Sequence, residues 1–356
     1  IFFITLFLIS IFIGYFSFIG FETKTFNNQI RENLKKVDPK LDVKINDVKI
    51  VLDLFDLSIN AKTFGPIISY NNKLIDIELI KSDLSLVNIL KREFSISNMF
   101  ISTKSIKLKD VIRFFRTVKK DNKAELFVLE NFISKGYLIA DLSLNFDDQG
   151  RINNDFKING LVKDGAIKLL NKKKIDNINL IFESKNKNLD INDIKFSYDN
   201  LDFTSKNIKL INKKKFINIE GQINNDEVSL SDELLKNIGN SFSNLDFTKF
   251  KFSSQNKFLF QVDNKFKILN YEIKSSLDIE ESSFKNDIAL KDIFPNLQSD
   301  VKIKNHSVEI TYKKNDFSVL GNGKFLIQKN YDNISYNIKK NKDKYLFNIK
   351  FNFLDN

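Results

Sequence analysis

One histidine, no cysteine and 45 carboxylates are what this 356-residue chain offers for chemistry. Without a thiol, disulfides and thiolate metal sites are excluded. The lone His306 leaves no histidine cluster for zinc and none for a nucleophilic triad. The carboxylates sit singly between apolar residues, the pattern of charges on the wet face of a sheet. Glu280 and Glu281 occupy adjacent strand positions whose side chains point to opposite faces, a poor geometry for paired acid and base work. The chain carries no phosphate loop, nucleophile elbow or Gly-rich dinucleotide turn. These residues predict a protein that is not an enzyme and uses no cofactor and no metal.

The net charge of +11 raises nucleic acid as a partner, because clustered basic residues neutralise phosphates. Only five of the 56 basic residues are arginine (Arg31, Arg92, Arg113, Arg116, Arg151), the type best suited to bidentate phosphate or base recognition. The lysine excess accompanies excess Ile, Asn and Phe, as expected of an AT-rich coding sequence. No nucleic-acid partner is expected.

The elements that must position any function begin with an uncharged run, Ile1 to Phe21. As a helix it would span roughly 31 Å, close to the thickness of a bilayer core. A cleaved signal peptide would have a shorter apolar core and small residues before the cut, where Phe18 stands here. The run is read as a transmembrane anchor, residues 1–21. The nearby charges Lys24, Arg31, Lys35 and Lys36 lie downstream of it, but a large folded body crosses a membrane regardless of such charges. Phe26, Ile30, Leu34 and Val37 then repeat at helical spacing before Pro39, predicting an amphipathic helix within 22–38. It would either lie on the membrane surface or cap the following sheet, and capping is favoured.

From Leu41 the apolar period changes to two, and it persists to Phe347-Ile349-Phe351-Phe353. One-sided alternation of this kind predicts antiparallel strands with one face apolar and one wet. About twenty strands are expected. Asn and Asp should make the turns, since Gly (11) and Pro (3) are scarce. Short helices are expected at Leu86–Lys91, Asp110–Val118 and Ser231–Ile238, the last with Ser229 and Asp232 in capping-box spacing and Gly239 as its stop. Lys119–Glu125 is the candidate boundary, giving an N-terminal β-rich domain over 39–120 and a β-sheet region over 121–356. Ile45–Ile50 (INDVKI) has an echo in Ile191–Phe196 (INDIKF), which chance in an Asn/Lys/Ile-rich chain or a true repeat would both explain. The fold class is mostly β with a few short helices: an elongated, curved antiparallel sheet, an open groove, behind one N-terminal transmembrane helix. Alternation alone leaves open whether the apolar face lines such a groove or closes into a core.

The order of parts resembles the AsmA-like superfamily of Gram-negative envelope proteins, of the AsmA, TamB and YhdP type. The likeness is carried by the anchor, the helix after it and LDVKINDVKIVLDLFDLSINA (41–61). It continues in the strand-helix-strand passage IELIKSDLSLVNILKREFSISNMFIS (77–102), in GRINNDFKINGLVKDGAIKLL (150–170) and in DFSVLGNGKFLIQ (316–328). It is one of pattern, without an invariant catalytic motif. Relatives of the YhdP kind are longer; a chain that starts at Ile1 and ends in a strand is expected to be a piece of such a protein.

The resemblance implies a single-pass inner-membrane protein with its body in the periplasm, whose apolar groove binds or conducts phospholipid toward the outer membrane. Its partners would be membrane lipids, with outer-membrane or periplasmic proteins as further candidates. The candidate groove residues are Ile45, Ile77, Leu142, Ile219, Phe260 and Ile310. The alternative is a non-enzymatic structural or assembly factor for outer-membrane proteins, offering strand edges to its partners. An outer-membrane barrel is disfavoured, because such barrels have no long apolar helix and close at both edges. Deleting residues 1–21 is expected to release the body from membranes. Retention of the truncated chain after a carbonate wash would contradict the anchor.

Overall fold

Alternation with a period of two becomes strand along most of the chain. The computed structural model describes residues 2–353 apart from 26, 92–95, 119–122, 148, 150, 154, 170–172, 214, 242–245, 264–266, 286–297, 299, 315 and 342–343. Among the described residues there are 20 strands and six helices. They group into two compact units, Ile1–Leu189 and Asp190–Asn356.

The first unit begins with α1 (Phe2–Phe18), β1 (Phe21–Thr23) and α2 (Asn27–Val37). Strands β2 (Leu41–Lys44), β3 (Val48–Asp53), β4 (Ser58–Phe64), β5 (Ile67–Tyr70) and β6 (Lys73–Ser85) follow. Next come α3 (Leu86–Lys91), β7 (Ile96–Thr103), β8 (Ile106–Lys107), α4 (Leu108–Val118) and α5 (Lys123–Phe132). The unit ends with β9 (Ile133–Asn145), β10 (Lys157–Lys168) and β11 (Lys174–Lys185). All pairings are antiparallel, in the order β1-β3-β4-β6-β7-β9-β10-β11. The long β6 also holds β5 through its first residues, and β5 holds β2.

Register shows how the alternation sorts the two faces. Val48, Thr63, Ile80, Ile101, Leu142 and Ile158 stand opposite one another across six strands. One position along, Glu22, Lys49, Lys62 and Lys81 form a row on the other face. Apolar cross-strand pairs of the first kind stabilise a sheet by roughly 0.2–1 kcal/mol each. Lysines opposite lysines do the reverse, and only a solvated face tolerates them.

The N-terminal helix is shorter than the uncharged run. It stops at Phe18, where the N–H groups of Ile19 and Gly20 both donate to the Tyr15 carbonyl. Gly20 takes the left-handed φ of 72° that ends a helix, and Phe21–Thr23 then pairs with β3. Seventeen residues rise roughly 26 Å. Among the described residues no helix is long and apolar enough to cross a membrane. Residues 22–38 therefore hold a short strand as well as the amphipathic helix. That helix caps the sheet edge: it packs on β2, and Arg31 donates to both carboxylate oxygens of Asp42 at 2.6 and 2.5 Å. Phe26 lies outside the described residues, as does the side chain of Val37.

The helices at 86–91 and 110–118 form where expected. The proposed boundary at 119–125 falls inside the first unit, with residues 119–122 outside the described ones, and the units divide at Leu189/Asp190.

The second unit contains β12 (Asn188–Tyr198, from Asp190 onward), β13 (Leu201–Lys213), β14 (Phe216–Ser229) and α6 (Asp232–Ser241). Strands β15 (Asp246–Val262), β16 (Ile268–Lys285), β17 (Asp300–Lys313), β18 (Asp316–Leu326), β19 (Tyr331–Asn341) and β20 (Lys344–Asn352) complete it. From β13 to β20 each strand pairs antiparallel with the next, a simple meander. Helix α6 is capped by Ser231, whose hydroxyl accepts the Leu234 N–H at 3.4 Å, rather than by Ser229, and it runs past Gly239 to Ser241.

Turn chemistry follows the composition. Asn71-Asn72 (φ 47° and 62°) and Asp199-Asn200 (φ 50° and 64°) supply two consecutive left-handed residues, the requirement of a tight two-residue hairpin. The INDVKI echo is only partly structural. Residues 45–47 form a loop, whereas 191–196 lie within β12 with Asp193 at φ 50°. Val48 and Ile194, at the same position of the echo, are both buried at 6% exposure.

Candidate functional site

In the first unit the apolar face of the sheet forms a cleft of about 370 Å³ under α2. Ile30 and Leu34 of the helix stripe roof it, and Val48, Thr63, Ile80 and Ile101 of the apolar row line its floor. Its volume lies within the roughly 300–1,000 Å³ range of small-ligand sites. Ile45, on the loop before β3, lines this cleft. Leu142 continues the floor row, directly opposite Ile101. Both are half-buried.

Ile77 does not belong with them. It is 3% exposed and stands opposite Thr103, with the β6–β7 register shifting between Ile77 and Leu79. Its N–H donates to the Pro66 carbonyl at 3.0 Å, and α4 packs on β6, β5, β8 and β9. Ile77 is packed interior. Period-two alternation does not show which stretch of an apolar face is covered, and here α4 packs on the strand.

In the second unit three candidates share one face. Leu210, Ile219, Phe260 and Tyr271 stand in a cross-strand row. Two and four positions further along β15, Phe258 and Asn256 begin parallel rows on the same side. One runs Phe258–Ile273–Tyr312–Phe317, the other Asn256–Ser275–Ile310–Val319–Ile338–Phe347. Ile219, Phe260 and Ile310 are each half-buried. Exposure rises from Val308 (8%) in β17 to Phe347 (64%) in β20. Among the described residues α6 is the one helix of this unit, and it packs against β15.

Two polar features interrupt this face, and sequence reasoning singled out neither. Asn225, Ser254 and Asn256 bond among themselves, with the Ser254 hydroxyl donating to the Asn225 side-chain oxygen and the Asn256 amide donating to Ser254 Oγ at 2.8 Å. Further along, the His306 ring nitrogen Nε2 lies 3.0 Å from the Tyr336 hydroxyl, and the two rings stack. Gly321 and Gly323 make room: a Cβ on either would collide with Tyr336 or His306. The spacing Gly321-x-Gly323 on a strand was the available signal, since Gly inside a strand marks close approach. His306 is 5% exposed and burial pushes its pKa below the ordinary 6.5. With Nδ1 lacking a partner among the described residues, the neutral ring is the form that this site favours.

The opposite face is charged. Lys209, Glu220, Leu259, Glu272, Lys313 and Asp316 stand in one row. Glu272 is held below the usual carboxylate range by hydrogen bonds from Lys274 and Lys313. A cleft of about 870 Å³ on this side is lined by Lys206, Lys209, Lys257, Lys274 and glutamates. A bulge opposite Lys251 adds Glu280 to β16, so Lys251 pairs with Glu280 while Lys249 pairs with Glu281 at 2.6 Å. These lysines lower both glutamate pKa values, which keeps the carboxylates ionised, whereas a general acid needs the opposite shift.

The His306 site carries a pH dependence. A histidine whose folded pKa lies below its unfolded value leaves the unfolded chain binding more protons, so stability falls as pH drops below 6.5. His306→Gln should flatten the stability of the second unit between pH 7 and 5, read from urea midpoints. Equal slopes for both proteins would remove burial of the neutral ring as the cause.

Comparison with protein families, with curated proteins and with solved structures finds no match.

Proposed function

We propose that this chain is a membrane-tethered lipid-handling protein of the Gram-negative envelope, with its body in the periplasm, accepting phospholipid acyl chains on its apolar sheet faces. The observation that carries this reading is the apolar face of the second unit. It belongs to a single meander, bears Phe, Tyr, Ile and Val in row after row, and becomes more exposed toward β20. An apolar patch of that kind on a folded surface calls for an apolar ligand. The cleft beneath α2 supplies a second apolar surface, in the first unit. The uncharged α1 is the proposed tether, with the local bilayer thickness deciding how it lies. Head groups would stay in water at the rim of each face, and no residue would do covalent chemistry.

One observation favours the assembly reading in second place. All nine residues of β20 are exposed, and β19 is its one strand partner among the described residues. Such an edge is a template for adding a strand from a partner.

Substitution by Asp separates ligand surface from core. Ile77→Asp buries an unpaired charge and should cost roughly 3 kcal/mol or more, unfolding the first unit. Ile219→Asp, Phe260→Asp and Ile310→Asp should cost about 1 kcal/mol each and leave the fold in place. Those three, with Ile45→Asp and Leu142→Asp, should reduce the phospholipid that co-purifies with the chain, measured by mass spectrometry. Unfolding by all six would favour closed cores, and a stable wild-type chain that never carries lipid would contradict the proposal.

A further inference from the structure

The end of the first unit from which α1 emerges carries a second apolar feature. Strand β1 runs antiparallel to β3, with Phe21 opposite Ile50 and Thr23 opposite Val48. The chain therefore enters β1 from the side on which β3 continues through Leu52 and Asp53 into its hairpin with β4. At the tip of that hairpin Leu54, Phe55 and Leu57 are 46%, 101% and 54% exposed. Helix α3 lies beside the tip: Ser58 stands opposite Ser85, and the Leu86 N–H donates to the Leu57 carbonyl at 2.9 Å. Its outward residues Val87, Ile89 and Leu90 are 44%, 40% and 85% exposed.

This tip is built to hold its shape. The Asp53 carboxylate accepts the N–H groups of Phe55 and Asp56 at 3.0 and 3.2 Å, an Asx turn that fixes the loop. Leu57 takes a left-handed φ of 45°, an uncommon conformation for a leucine. Ser85 caps α3 by accepting the Asn88 N–H at 3.3 Å. Surface hairpins ordinarily place polar residues at such a turn, and this one projects a fully exposed phenylalanine.

We propose that the hairpin tip and α3 form an apolar wedge that inserts into the bilayer surface beside α1. The inference rests on the reading of α1 as a membrane tether and adds a contact made by the folded body itself. Continuity selects lipid as the occupant: the side chains of α1, among them Phe7 (66% exposed) and Phe12 (63%), emerge from the same end of the sheet. The wedge carries Asp53 and Asp56 against Lys91, so its attraction is for the apolar boundary of the bilayer rather than for anionic head groups. Seated in this way, the wedge would fix the orientation of the first unit relative to the membrane, which a single tether leaves free to swivel.

The chain has no cysteine, so single-cysteine labelling tests the wedge directly. The full chain would be reconstituted into phosphatidylethanolamine–phosphatidylglycerol vesicles with an environment-sensitive fluorophore at F55C, L90C, I11C or K73C. Lys73 opens β6, and α3 follows the other end of this 13-residue strand, roughly 40 Å away. The wedge predicts that lipid-borne spin labels quench the probes at positions 55, 90 and 11 and spare the one at 73. Quenching at 11 alone overturns the wedge and leaves the tether standing. No quenching at 11 removes the tether and the wedge with it. A blue shift at 55 and 90 without quenching by lipid would put protein on the tip and overturn the assignment to the bilayer.

Discussion

A β-strand presents its side chains to alternate faces, so a sheet with one apolar face must cover that face or leave it to a ligand. The rest of this structure depends on that constraint. In the first unit α2 covers part of the face and leaves a cleft, while α4 seals the region around Ile77. In the second unit the meander β13–β20 has α6 against β15, and its far strand is exposed on both faces. A sandwich would bring in a second sheet. Here successive strands extend one sheet from β13 to β20, and the row through Ile310 runs on to Phe347 in the last strand.

The wet faces follow from the same alternation. Positions one step from the apolar rows carry Lys and Glu, which cross-strand register places opposite one another in the second unit and as lysine runs in the first. Exposed pairs of this kind contribute roughly 0–1 kcal/mol each, so they keep the outer face hydrated more than they hold the fold together. The polarity of each sheet is thus decided strand by strand, by local sequence. Two internal polar clusters sit on the apolar side: Asn225, Ser254 and Asn256 bond among themselves, and His306 meets the Tyr336 hydroxyl through Nε2.

Much of this was legible in the residues. Period-two runs located the strands, and Asn and Asp, expected as turn formers, make the tight turns at 71–72 and 199–200. The Ile30–Leu34 stripe identified the helix that roofs the cleft. What escaped reading involved three-dimensional departures from a regular period. A bulge at Glu280 reassigned a side chain that counting had placed elsewhere, and the packing of α4 on β6 buried Ile77 where alternation left it open. Gly20 ended α1 earlier than hydrophobicity implied, because the pairing of β1 with β3 draws Phe21–Thr23 into the sheet. The His306–Tyr336 pair joins residues 30 apart, through the register of β17, β18 and β19, which no local pattern displays. Of the six groove residues chosen from sequence, Ile219, Phe260 and Ile310 share a face, and Ile45 and Leu142 share another. Ile77 is interior.

The central claim is that acyl chains lie on one face of these sheets, and neighbouring residues of β17 test it most directly. Ile310 belongs to the apolar face and Thr311 to the other. A photo-activatable side chain placed at each position in turn, in cells or in reconstituted vesicles, reports what touches it. The account predicts phospholipid adducts from position 310 and few or none from position 311. Equal labelling at both positions, or protein-only adducts at 310, would contradict it.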